Sequence, residues 1–326
     1  MAISQDNASE AAHAANIISE FVAHEQVRTL SDLHRALFGS ATTKKQLKIQ
    51  PNQNSVAVVV LCGSAILSIV DTVISLVVKL VETPADSEAG DKHVVLVICG
   101  GIGHSTQLLY DAVARHPRYN SIASQVPGQP EARVFQTIIE QFFHLEVEKD
   151  DPTHAQSGRT QRLTILVEDA STNCALNAEY TRIVLDEHGY TSPYSIVVAQ
   201  DPTMCRRTVA GFEQVYSDKK NDAPALTGWP TFVPRVVTQD TITQNQANSL
   251  TSYLRYDIAM WHDSQINGLW SMERFMSLLI GEIPRMRDDN AGYGPRGKGS
   301  IAHIDIPQYV EDAWRVLGDV LGQKGR

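Results

Sequence analysis

Val94-Val95-Leu96-Val97-Ile98-Cys99-Gly100-Gly101-Ile102-Gly103-His104-Ser105-Thr106 decides the fold. Five aliphatic residues in a row, most of them β-branched, suit a strand buried on both faces. Cysteine, glycines and small polar residues end the run, and residues 106–116 then read as a helix. The same unit recurs three times. Residues 56–61 end in Cys62-Gly63-Ser64, residues 164–167 in Glu168-Asp169-Ala170-Ser171-Thr172-Asn173, and residues 195–199 in Gln200-Asp201-Pro202-Thr203-Met204. Strands alternating with helices imply an α/β protein with a parallel sheet and right-handed crossovers. Such sheets open their ligand crevice at the carboxyl ends of the strands, where this chain keeps most of its chemically usable residues.

Outward from these units, residues 1–40 read as one or two amphipathic helices, with Ile17, Ile18, Phe21 and Val22 on one stripe. Residues 41–54, 83–92 and 148–162 are polar and read as surface loops, and residues 131–143 as a helix. Residues 217–230 read as a further loop and residues 232–237 as an edge strand broken by Pro234. Beyond 240, helices are expected over 244–260, 269–280 and 310–321. The expected organisation is an N-terminal helical segment (1–50), an α/β domain (51–240) and a smaller, mainly helical lobe packed on it (241–326).

The chain has 326 residues and a net charge of −9. An acidic chain without a basic run lacks the face that nucleic acid requires. Residues 56–80 are apolar enough to suggest a membrane span. Gly63-Ser64 interrupts them, however, and Asp71 in hydrocarbon would cost about 2.5–3.5 kcal/mol, so strand, turn and buried helix are expected instead. No secretory signal is visible, and a cytoplasmic location is expected. Cys62, Cys99, Cys174 and Cys205 fall at or just after strand ends with no zinc-like spacing, and read as reduced thiols.

At the strand ends, Gly63, Gly100, Gly101 and Gly103 permit close backbone approach, and His104 and Ser105 precede a helix whose N–H groups favour an anion. His104 would need a carboxylate from another loop, Asp169 or Asp201, to act as an acid or base. Ser171 and Thr172 are candidate caps for the helix that follows. Asn173 and Asn177, four apart, share a helix face. Gln200 and Asp201 close the fourth strand, with Asp201-Pro202 read as a helix start, and Arg207 offers a fork for a carboxylate or phosphate. Residues 284–297, dense in charge and glycine, read as a lid, a clamp or an internally bonded loop.

Several blocks resemble the YdcF-like family of domains of unknown function, which also contains SanA and ElyC. They are Gly100 to Thr106, Tyr110, His116-Pro117-Arg118-Tyr119-Asn120, Glu168 to Cys174, Gln200 to Met204 with Arg206-Arg207-Thr208, Gly268-Leu269-Trp270, Arg287-Asp288-Asp289 and Gly292 to Gly297. The likeness spans most of residues 50–310 and departs in the longer N-terminal region and around 83–92 and 148–162. It implies a Rossmann-like α/β domain with a helical lobe, and binding of S-adenosyl-L-methionine. It also carries ligand-facing roles to Glu131, Asp169, Ser171, Asn173, Asn177 and Arg207. The envelope anchors of SanA and ElyC have no counterpart here. A small-molecule ligand is therefore expected, with methyl transfer as one activity. The alternatives are a hydrolase or transferase acting on a phosphorylated or nucleotide substrate, and a non-catalytic, ligand-gated interaction protein.

Overall fold

A computed structural model describes residues 5–39, 56–82, 93–148, 162–239, 249–259 and 261–322. The expected loops at 41–54 and 83–92, and nearly all of that at 148–162, lie outside the described residues. Helices α1 (Gln5–Ala23) and α2 (Leu30–Phe38) precede the first strand. The repeating units follow: β1 (Ala57–Cys62), α3 (Leu67–Glu82), β2 (Val94–Cys99), α4 (Thr106–Arg115), α5 (Glu131–Phe142), β3 (Leu163–Glu168), α6 (Cys174–Glu187), β4 (Ser195–Ala199), α7 (Cys205–Val215) and β5 (Ala225–Trp229). The chain continues through β6 (Val236–Thr238), β7 (Leu254–Tyr256), the single turn α8 (Asp263–Ile266), α9 (Met272–Met286) and α10 (Gln308–Leu321).

The sheet is parallel throughout, in the order β3-β2-β1-β4-β5. Every residue of β1, β2 and β4 is buried, which is why these strands are unbroken apolar runs. Alternation divides their side chains between two cores. Val59, Leu61, Leu96 and Ile98 pack with α2, α3, α4 and α5 on one face, and Val58, Val60, Val97 and Val198 with α6 and α7 on the other. The chain steps outward from β1 to β3, then crosses back to β4 on the far side of β1. The strand order therefore reverses between β1 and β4, and the crevice of a Rossmann-like sheet lies outside their carboxyl ends.

A third cluster joins the two ends of the chain. Ala11, Ala15, Ile18 and Val22 of α1 pack with Phe275, Leu279 and Ile283 of α9 and Val310 and Leu317 of α10. The hairpin β6–β7 belongs to the same cluster through Val236, Leu254 and Tyr256.

Two expectations fail. Residues 217–230 hold β5, a full member of the sheet, rather than only a loop. Residues 249–259, expected as helix, form a short turn and then β7, which pairs antiparallel with β6. Among the described residues no helix is long and apolar enough to cross a membrane. The segment read both ways is β1 and α3, and Asp71 sits at its surface, paired with Arg118 at 2.8 Å.

Candidate functional site

The tip of β1 lies at the strand reversal, outside which a Rossmann-like sheet opens its crevice. The Gly63 N–H donates to Cys99 O at 2.8 Å, which fixes the turn against the end of β2. A Cβ at Gly63 would stand 1.8 Å from Glu131 Oε2, and one at Gly100 would stand 3.2 Å from the same oxygen. Both glycines therefore make room for one carboxylate, carried by the first residue of α5. The Thr106 hydroxyl donates to Glu131 Oε1 at 2.9 Å and accepts the Gly103 N–H at 2.8 Å. Burial raises the Glu131 pKa against the opposing effect of that Thr106 bond. Oε2 has no hydrogen-bond donor among the described residues.

Gly101 serves the neighbouring loop. Its N–H donates to Ser171 O at 2.6 Å, and a Cβ there would meet the carbonyl oxygens of Ser171 and Asp169 at 2.6 and 2.8 Å. Gly103 lies similarly against Thr172 O. The glycine loop is thus docked on the loop after β3. Glu168, 2 % exposed, shapes that second loop by accepting from the N–H groups of Ala170 and Ser171 at 2.8 and 2.7 Å and from the Ser171 hydroxyl at 2.5 Å.

On the other side of Gly63, Ser64 and Asp201 meet at the strand reversal. The Ser64 hydroxyl accepts the Ile66 N–H at 3.1 Å and donates to Asp201 Oδ2 at 3.4 Å. Asp201 Oδ1 accepts from the N–H and hydroxyl of Thr203 at 2.9 and 2.6 Å. Asp201 is only 4 % exposed, and burial pushes its pKa up to about 6. The carboxylates of Glu131 and Asp201 therefore flank Gly63-Ser64, each less acidic than in water.

The remaining sequence candidates separate by what they touch. Asn173, rather than Ser171 or Thr172, caps α6, accepting from the N–H groups of Ala175 and Leu176 at 3.1 Å each. Ser171 is turned to Glu168, and Thr172 is exposed. Asn177, on the same helix, is 7 % exposed. Asp169 pairs with Arg133 at 2.6 Å. Gln200 accepts the Asp201 N–H at 2.7 Å and is fully enclosed. Asp201 does not start a helix, because α7 begins at Cys205 with Met204 before it.

His104 is exposed, and the carboxylates of Asp169 and Asp201, one of which it would need for acid–base work, have the partners given above. Ser105 Oγ receives a 3.5 Å contact from Arg274 of α9. Arg207 is not presented to the mouth as an open fork: its Nε and Nη2 donate to Glu282 of α9 at 2.6 and 3.1 Å. Residues 284–297 form an internally bonded loop rather than a free lid. Asp288 binds Arg296 and His303, and Asp289 accepts the N–H groups of Ala291 and Gly292.

The cysteines are free thiols. Cys62 and Cys99 are in register on β1 and β2, with their sulfurs 3.5 Å apart. Among the described residues no three His, Cys, Asp or Glu side chains are grouped to hold a metal ion.

Sequence reasoning missed Ser64, Thr106, Thr203 and Glu282. Glu282 carried a signal: it falls in step with Phe275, Leu279 and Met286, on the buried stripe of α9. A charge at such a position is enclosed only if it is paired. Two surface hollows lie away from the crevice, at the amino ends of the strands. One of about 280 Å³ is lined by Glu213, Tyr216 and Leu226, and one of about 440 Å³ by Val78, Leu145 and Leu163. No protein-family model matches the chain.

Proposed function

We propose that the crevice between β1 and β4 binds a small molecule that carries positive charge and hydrogen-bond donors, with S-adenosyl-L-methionine as the candidate. One observation carries this reading: the side-chain hydrogen-bonding capacity left over in Glu131, Ser64 and Asp201 is acceptor capacity. A hydroxyl has one proton to give. Thr106 gives its proton to Glu131, and Ser64 gives its proton to Asp201. What remains is Glu131 Oε2, a lone pair of Ser64 and the second oxygen of Asp201. Ionising two enclosed carboxylates is unfavourable, and a nearby sulfonium or ammonium group offsets that cost. The likeness to the YdcF-like family, which implies the same ligand, supports the reading, and Glu131 is shared by both arguments. Methyl transfer is the activity such a ligand would serve.

A phosphorylated or nucleotide substrate has less support, because the Arg207 fork is taken by Glu282 and two carboxylates would repel a phosphate. Use of the 284–297 loop as a ligand-gated partner surface has less support too, since its Arg287 and Asp288 are already engaged by Glu311, Arg296 and His303.

Calorimetric titration with S-adenosyl-L-methionine tests the proposal. Wild-type protein should bind it, and Glu131→Gln should weaken binding by about tenfold or more, the scale of a hydrogen bond to a charged group. Inorganic phosphate should give no heat. Absence of heat with millimolar S-adenosyl-L-methionine would refute the proposal.

A further inference from the structure

The Ser64–Asp201 contact has a directionality that ligand charge alone does not explain. The Ile66 N–H is fixed backbone, so Ser64 Oγ must accept there, and its only proton then points to Asp201. Asp201 is itself held from one side: both donors of Thr203 act on Oδ1, which leaves Oδ2 with the single long bond from Ser64. A buried carboxylate oxygen with one 3.4 Å donor is under-satisfied. Ser64 keeps one lone pair, and Glu131 closes the space beside the adjacent Gly63.

We propose that Ser64 and Asp201 form a proton couple: the Ser64 hydroxyl is the contact for an amine or hydroxyl donor of the bound molecule, and Asp201 behind it exchanges the proton that this contact requires. In the liganded state the chain of bonds runs from the ligand N–H or O–H to Ser64 Oγ, and from Ser64 O–H to ionised Oδ2. When Oδ2 carries a proton, that proton points at Ser64 and turns the Ser64 hydroxyl around, so a donor on the ligand meets another donor. Below the pH at which Asp201 titrates, binding therefore expels its proton to solvent, and no bond to carbon is made or broken. Thr203 is the positioning residue, since it pins Oδ1 and leaves Oδ2 as the exchanging atom.

The groups that face Asp201 favour this exchange. Glu282 of α9 disfavours the ionised form, and Tyr256 of β7 and Cys205 of α7 add no positive charge beside it. Arg207 is committed to Glu282. With the carboxyl raised to about 6, the exchange falls just below neutral pH. The linkage has a definite sign. Ligand needs the ionised form, so affinity is full above that point and falls about tenfold per pH unit below it.

This inference rests on the crevice binding a cationic donor, and two measurements separate the claims. In the ligand-free protein, infrared difference spectra across pH should show one buried carboxyl titrating near 6. Its band should vanish in the isosteric Asp201→Asn variant and titrate at higher pH in Ser64→Ala, where the Ser64 donor to Oδ2 is lost. With S-adenosyl-L-methionine at a pH below that titration, calorimetry in buffers of different ionisation enthalpy should show proton release in wild type and none in Asp201→Asn. Binding with the same pH dependence in both proteins would overturn the couple and leave the ligand reading intact. Absence of binding would overturn the ligand reading, and the free-protein titration would then decide the couple: a band unchanged by Asp201→Asn or Ser64→Ala contradicts it.

Discussion

Arg207 and Glu282 are 75 residues apart in sequence and form a two-bonded ion pair whose side chains are only 10 % and 2 % exposed. Arg285 adds a second guanidinium to the same carboxylate at 2.9 Å. The pair ties α7, which packs on the sheet, to α9. Removing Glu282 leaves the Arg207 charge enclosed, whereas Arg285 can turn to water. Glu282→Leu should therefore cost about 3–5 kcal/mol of unfolding free energy in urea. Adding Arg207→Met should restore at least half of that loss, because an apolar pair leaves no orphaned charge. A Glu282→Leu loss below about 1 kcal/mol would show that the pair is not enclosed as described. From sequence Arg207 could only be read as an open fork, because nothing local identifies a partner so far away.

At the scale of elements, the glycine loop shows what was legible and what was not. The apolar runs that became β1 to β4 were readable because parallel strands are buried on both faces. β5 was missed because Ala225-Leu226-Thr227-Gly228-Trp229 is short and contains a glycine; its strand state comes from pairing with β4. β7, three residues long, takes its conformation from pairing with β6, which no helical period in the sequence could reveal. The cap of α6 fell on Asn173 because Glu168 had already drawn the Ser171 hydroxyl.

The glycines were expected to let a ligand approach the backbone; the atoms that approach them in the structure belong to the protein. Gly63→Ala should displace the Glu131 side chain and lower the melting temperature, and a second change, Glu131→Ala, should recover most of the loss. Gly101→Ala meets backbone oxygens instead, so no side-chain change should rescue it. Equal rescue of both variants by Glu131→Ala, followed by thermal unfolding, would contradict this assignment.

At the scale of the molecule, the crevice is a product of strand order, which the sequence alone does not state. Four strand ends carried plausible chemistry, and only the reversal between β1 and β4 sets Gly63-Ser64 and Asp201 side by side. Glu282 and Tyr256 lie close enough to Asp201 to act on its charge, and α1, α9 and α10 share one core cluster. The two hollows at the amino ends of the strands offer a different place for a small molecule. A crystal structure of the protein soaked in S-adenosyl-L-methionine distinguishes these places most directly. The account predicts ligand density beside Gly63, with a donor or the sulfonium group against Glu131 and Ser64. Density confined to either hollow, with Glu131 and Ser64 untouched, would contradict it.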